Sequence, residues 1–125
     1  MVAAQAATTG AVQLLKHLFG RVRPEDIIVL SDAGSFPSGH VANAATLATV
    51  AVILFPRLWV LIVAGAWVFT MAFSRTYLHA HWLTDTIGGA LVGIGVALLV
   101  AVPFAVPLAR ERGALPPVPS LESRA

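Results

Sequence analysis

Four uncharged stretches dominate the pattern of the chain. No Asp, Glu, Lys or Arg occurs in residues 1–15, 41–56, 58–74 or 86–109. At about 1.5 Å per helical residue, 16 or 17 residues reach roughly 25 Å and 24 residues about 36 Å, against a hydrocarbon core of about 30 Å. The pattern therefore predicts an all-α, membrane-embedded bundle of four helices.

The first of these stretches is the least apolar. It contains Gln5, Thr8, Thr9, Gly10 and Gln13 among small apolar residues. Such a composition has little transfer free energy into lipid but suits a helix that other helices cover. We expect this helix to need complementing helices, or a second copy of the chain, as its cover.

The last stretch carries small residues and prolines. Gly89 and Gly93 have a spacing that lets another helix approach closely, and we expect them to pack a neighbouring helix or a second copy. Pro103 and Pro107 predict that this helix bends or frays near its end.

The C-terminal residues form a different kind of segment. Residues 113–125 contain three prolines and no apolar periodicity, which predicts a disordered tail after a core of residues 1–112. Over the whole chain 58% of residues are hydrophobic and 11% are charged, too few charges for the surface of a soluble domain.

Charge and cysteine content exclude several classes of function. The net charge of +2 is small and scattered, so we expect no nucleic-acid partner. The chain has no cysteine, which excludes a disulfide framework, a Cys-ligated zinc site and a thiolate nucleophile.

The distribution of charges predicts an orientation in the cell membrane. Arg57, Arg110 and Arg112 fall at one end of the predicted bundle, as cytoplasmic ends do, so a multi-pass chain would have both termini inside. The opposite, extracytoplasmic end collects titratable and charged residues from three segments: Lys16, Arg21, Arg23, His40, Arg75, His79, His81 and Asp85.

Segment lengths bring these residues to one face of the membrane. The 33 residues between His40 and Ser74 suffice for one helix in each direction, so His40 and Arg75 return to the same face. The 12 residues from Glu25 to Phe36 are too few to cross the bilayer as a helix and return, so Arg23 lies on the same face as His40.

The residue types at this face suit phosphoryl transfer. Arg and Lys side chains bind phosphate oxygens, and a helix that begins near Pro37–His40 would add backbone amides and the Ser38 hydroxyl. His81 can attack phosphorus if a carboxylate fixes its tautomer, and Asp85 has the i+4 spacing for that. His40 is then the candidate acid for the leaving group.

Three motifs carry a family resemblance. Lys16, Arg23 and Pro24 match KxxxxxxRP, residues 37–40 match PSGH, and residues 74–85 match SRxxxxxHxxxD. In order and spacing this pattern resembles the type 2 phosphatidic acid phosphatase (PAP2) superfamily, which also contains bacterial acid phosphatases and vanadium haloperoxidases.

The resemblance implies a role for each matching residue. His81 would become the phosphohistidine, Asp85 would orient it, and His40 would protonate the leaving group. The phosphoryl oxygens would be held by a larger set: Lys16, Arg23, Ser38, Gly39 and Arg75. No metal and no cofactor are implied.

The resemblance also implies a substrate and leaves two alternatives. Membrane members of this family usually have six helices, so the chain corresponds to the C-terminal four, and the substrate would be a lipid phosphate or pyrophosphate. The alternatives are a catalytically silent remnant or membrane assembly partner, and, within enzymes, a vanadium haloperoxidase.

Residues outside the motifs have simpler interpretations. Arg21 is interpreted as an interfacial anchor or a peripheral phosphate contact, and His17 and His79 as interfacial residues. Asp85 by itself would also suit the first turn of a helix, where a carboxylate complements the dipole.

Overall fold

The computed structural model describes residues 1–25, 34–111 and 113. This part of the chain is helical and contains no strand. Its elements are α1 (Val2–Phe19), α2 (Gly39–Leu54), α3 (Leu58–Tyr77), α4 (Leu83–Ala101), a 3₁₀ turn (Val102–Phe104) and a short α5 (Ala105–Glu111). Of the predicted tail, only Gly113 belongs to the described residues, and Arg112 lies outside them.

The four predicted helices are present, with shifted boundaries. α1 continues through Lys16 and ends where Gly20 adopts a left-handed φ of 53°, a conformation that glycine tolerates well. α4 begins at Leu83, ahead of the uncharged stretch, because Asp85 is part of its first turn. The helix changes form at Val102–Phe104, where Pro103 lies, as the sequence predicts.

α2 is the centre of the bundle and packs most extensively against α4. The close approach requires Gly89, since a Cβ there would lie 2.5 Å from the Ser38 carbonyl oxygen and 3.3 Å from the Ala42 nitrogen. Gly93 is in a similar position against Ala42 and Ala45. These glycines therefore pack α2 of the same chain, which confirms the first of the two expectations, a neighbouring helix, and not a second copy of the chain.

Polar side chains join α1 to this pair of helices. The hydroxyl groups of Thr8 and Thr46 lie 2.8 Å apart, and Thr46 Oγ1 is also within hydrogen-bond distance of the Gly93 carbonyl, at 3.2 Å. Both threonines are fully buried. Hydrogen bonds of this kind stabilise contacts between helices where apolar burial alone does not discriminate between protein and lipid.

The outer surface of the bundle is apolar. Two helical segments are long and apolar enough to cross a membrane: α3, and the segment Leu83–Pro107 that begins with α4. α2 is apolar too, but shorter. Large side chains such as Ile62, Phe69 and Phe73 remain exposed on α3. An apolar surface of this extent suits lipid better than water.

Candidate active site

Six of the motif residues line one end of a cavity of about 460 Å³ between α1, α2 and α3. Lys16 comes from the last turn of α1, His40 from the first turn of α2 and Arg75 from the last turn of α3. Arg23 and His81, from the connecting segments, complete this end. The convergence that the segment lengths predict is therefore present.

The wall changes character away from these charges. Further along the three helices the wall is mixed, with the polar side chains Thr9, Gln13 and Asn43 among the apolar Val12, Ala44, Leu47, Trp67 and Met71. The cavity thus combines a cationic end with a partly apolar wall, as binding a phosphate attached to an apolar group requires.

The PSGH segment forms the predicted helix start. Of its two candidate phosphate-binding residues, Gly39 lines the cavity and Ser38 does not. α2 begins at Gly39, which lines the cavity. Ser38 is fully buried, and its backbone N–H donates to the Asp85 carbonyl oxygen at 2.9 Å. Among the described residues, Ser38 Oγ and Arg75 Nε are buried polar atoms without a hydrogen-bond partner. The Ser38 backbone amide is therefore engaged by Asp85, whereas its hydroxyl, the group expected to contact phosphate, has no hydrogen-bond partner among the described residues.

The surroundings of His81 specify one tautomer of its imidazole. Nδ1 lies 2.7 Å from the Ser35 carbonyl oxygen, and a carbonyl oxygen only accepts, so Nδ1 carries the proton. Nε2 lies 3.5 Å from a guanidinium nitrogen of Arg23, which only donates. Both neighbours favour a neutral ring with its lone pair on Nε2.

Burial is the main reason that His81 is neutral. Burial, followed by the charge of Arg23, lowers the pKa of His81 from 6.5 to about 4, against the opposing effects of the Ser35 hydrogen bond and the Asp85 charge. The side chain is 4% exposed. At neutral pH this imidazole therefore has the lone pair that a nucleophile needs.

Asp85 is near His81, as the i+4 spacing predicts, but it does not accept the hydrogen bond of the ring. His81 Nδ1 and Asp85 Oδ2 are 3.7 Å apart, and the shorter contact of Nδ1 is with Ser35. The fully buried carboxylate instead accepts from the Ser35 hydroxyl and, at 2.9 Å, from the Trp82 backbone N–H. The latter bond caps the first turn of α4, so the simpler interpretation of Asp85 also holds.

Arg21 makes a contact that the sequence analysis did not predict. Its guanidinium lies 2.7 Å from Asp85 Oδ1 and 2.7 Å from Thr84 Oγ1. The guanidinium carbon is also 5.9 Å from the Trp82 ring centroid. Arg21 thus pairs with a buried carboxylate, a contact that the motif spacing does not indicate.

Ser35 is a second residue that the motifs omit. Its carbonyl and hydroxyl contact His81 and Asp85 respectively. It lies two positions before Pro37, and only the folding of this segment over the start of α4 reveals its role. Within the described residues, no group of three or more potential metal-ligating side chains occurs.

Comparison with known sequences gives one family and several relatives. The family model of the PAP2 superfamily matches residues 1–105. The chain is 33% identical over 91 residues to a lipid A 4'-phosphatase of Bacteroides thetaiotaomicron, a match that covers 63% of this chain and 40% of that protein. It is 35% identical over 98 residues to phosphatidylglycerophosphatase B of Bacillus subtilis, covering 70% and 48%. The chain thus spans about half the length of these relatives or less.

Two solved structures have a similar arrangement of helices. One is the transmembrane PAP2-type phosphatidylglycerolphosphate phosphatase of Bacillus subtilis, with a TM-score of 0.70 and 32% identity over 81% of this chain and 55% of that one. The other is Aquifex aeolicus LpxE, with a TM-score of 0.67 and 31% identity over 78% and 62%.

Proposed function

Because this chain belongs to the PAP2 superfamily, we propose that it forms the catalytic core of a membrane phosphatase for lipid phosphate or pyrophosphate monoesters. The observation that carries the proposal is the Nε2 lone pair of His81, in a cavity that three cationic side chains and a second histidine also line. Such an arrangement provides a nucleophile, charge stabilisation and a proton donor in one place.

The first step of the proposed reaction is attack of His81 Nε2 on phosphorus. The N–P bond forms as the P–O bond to the lipid alcohol breaks, and His40 donates a proton to the departing oxygen. Ser35 accepts from Nδ1–H throughout, so the ring keeps its orientation as it gains positive charge.

The second step releases phosphate. Water attacks the phosphohistidine, His40 takes the proton of that water, and the N–P bond breaks to restore neutral His81. Lys16, Arg23 and Arg75 stabilise the negative charge of the equatorial oxygens in both steps. In this proposal these cations do the work that a divalent metal does in many phosphoryl transfers.

A lipid substrate is favoured by the cavity and by the relatives. The cationic end would hold the phosphate, and the apolar wall formed by Leu47, Trp67 and Met71 would contact the hydrocarbon part. Several of the relatives are phosphatases of lipid A or of phosphatidylglycerol phosphate. We place the site on the extracytoplasmic face of a multi-pass membrane protein, where lipid headgroups meet water.

The test is phosphatase turnover without divalent metal. The 125-residue chain in mild detergent is assayed on phosphatidate, phosphatidylglycerol phosphate and a polyprenyl pyrophosphate in excess EDTA, with His81→Ala as the inactive control. We expect turnover of at least one lipid, inhibition by orthovanadate, and none in the variant. Turnover only after addition of magnesium would contradict metal independence, and no turnover under any condition would favour the catalytically silent alternative.

A further inference from the structure

Arg21 lies outside the three motifs, yet its guanidinium contacts the fully buried carboxylate of Asp85. We propose that Arg21 is a positioning residue, which acts through Asp85 and Ser35 to hold His81 in the tautomer that attacks phosphorus. The inference rests on the proposed function, in which His81 is the nucleophile.

Arg21 holds Ser35 in two ways. Its carbonyl oxygen accepts from the Ser35 backbone N–H at 2.8 Å, and its guanidinium binds Asp85 Oδ1 at 2.7 Å. The other carboxylate oxygen, Oδ2, accepts from the Ser35 hydroxyl. Ser35 is therefore fixed at its main chain and at its side chain, which leaves its carbonyl directed at His81 Nδ1.

The charge of Arg21 also determines where the carboxylate points. A buried carboxylate without a partner charge is strongly unfavourable, and Arg21 supplies that charge at Oδ1. Without Arg21, Oδ1 would lose its charged partner and the carboxylate would be held less firmly. The Ser35 hydroxyl would then lose its fixed acceptor, so the Ser35 carbonyl would no longer be held against His81 Nδ1 and the other tautomer would become accessible.

The two other interpretations of Arg21 make different predictions. An interfacial anchor would affect neither catalysis nor inhibition. A phosphate contact would weaken the binding of phosphate analogues, but the described partners of the Arg21 side chain are Thr84, Asp85 and the Trp82 ring, away from the wall of the cavity.

Kinetics separate these three cases. The variants are Arg21→Ala, Arg21→Lys and, as the matched control, Arg57→Ala, which removes an exposed arginine at the opposite end of the bundle. For Arg21→Ala we expect kcat to fall on the order of 10²-fold, as misplacement of a reacting group does, with KM and the vanadate inhibition constant unchanged. Arg21→Lys should recover part of the lost kcat, because it restores the charge.

A spectroscopic measurement tests the same inference without turnover. In the full chain with isotope-labelled histidine, the ring nitrogens of His81 are assigned by their loss in His81→Asn, and their chemical shifts report which nitrogen is protonated. We expect a fixed Nδ1–H tautomer in the wild type and in Arg57→Ala, and a mixture of tautomers in Arg21→Ala. If Arg21→Ala does not fold, Arg21→Gln, which retains an amide donor without the charge, replaces it.

The outcomes are distinguishable. Unchanged kcat and tautomer in the Arg21 variant would overturn the inference, as would a weakened vanadate inhibition with unchanged kcat. A shifted tautomer in a chain whose wild type has no turnover would support the positioning role while the proposed function fails.

Discussion

At the scale of single residues, the state of His81 is decided by competition between burial and charge. The Ser35 hydrogen bond and the Asp85 carboxylate favour the protonated ring, whereas burial and the Arg23 charge oppose it. Burial has the largest effect: the free energy needed to remove the imidazolium from water exceeds the stabilisation that the Ser35 carbonyl and the Asp85 carboxylate provide. The result is a ring that stays neutral well below its ordinary pKa of 6.5.

This low pKa predicts how stability depends on pH. Below pH 6.5 the unfolded chain protonates His81 while the folded chain does not, so stability falls as the pH drops toward about 4 and then levels off. The loss from this residue amounts to about 3 kcal/mol at most, at roughly 1.4 kcal/mol for each pKa unit.

Thermal unfolding in detergent at several pH values between 7 and 4 measures the effect. The His81→Asn variant should lose less stability over this interval than the wild type, since asparagine does not titrate. Parallel losses in the two proteins would assign the pH dependence to other groups.

At the scale of helices, the site depends on how α2 and α4 begin side by side. The Ser38 backbone N–H, at the start of α2, donates to the carbonyl oxygen of Asp85, in the first turn of α4. Gly89 lies one turn further along α4 and lets the two backbones approach. Because both helix starts contribute to the site, a change in their separation moves Gly39 and His40 relative to Asp85.

A comparison of two alanine substitutions in α4, one at the contact with α2 and one away from it, tests this packing. Gly89→Ala puts a methyl group 2.5 Å from the Ser38 carbonyl oxygen, whereas Gly95→Ala meets no atom within 4 Å. We expect Gly89→Ala to lower the free energy of unfolding by about 1–3 kcal/mol, as overpacking does. Gly95→Ala should be neutral or stabilising by up to about 1 kcal/mol through helix propensity.

The measurement is reversible unfolding in mixed detergent and denaturant, followed by the lipid phosphatase assay. Gly89→Ala should also lose activity, since the helix starts shift, whereas Gly95→Ala should retain it. Equal stability of the two variants would show that the close contact of α2 and α4 is not what holds the bundle together.

At the scale of the whole molecule, the bundle has two chemically different ends. One carries the cavity with its cations and histidines, and the other carries Arg57 in the exposed turn between α2 and α3. Basic residues in short loops favour the cytoplasmic side. In the proposed orientation the cations at the cavity end run against that trend, and the proposed binding of phosphate gives the reason.

Orientation is therefore a testable property of the chain. Because the natural sequence has no cysteine, single substitutions at Glu25 and Arg57, both exposed, can be labelled without background. An impermeant maleimide should label Glu25→Cys in intact cells and Arg57→Cys only after permeabilisation. The reverse pattern would place the candidate active site on the cytoplasmic face.

The sequence by itself determined the elements and the meeting of the motif residues. Uncharged stretches of bilayer length predicted the four helices, and the lengths of the segments between them left Arg23, His40 and Arg75 on one face. Both inferences depend only on helix rise and bilayer thickness, which are nearly the same in every membrane protein. The structural comparisons confirm the helical membrane-type fold.

Only the tertiary structure decided which groups bind each other at the site. The i+4 spacing of His81 and Asp85 is compatible both with a direct hydrogen bond and with the observed separation of 3.7 Å. Ser35 takes the place of the carboxylate because the segment before α2 folds against the start of α4, and Arg21 then supplies the charge that the buried carboxylate needs. Hydrogen bonds form over distances of about 3 Å, so they depend on side-chain rotamers and helix separation that spacing along a chain does not specify.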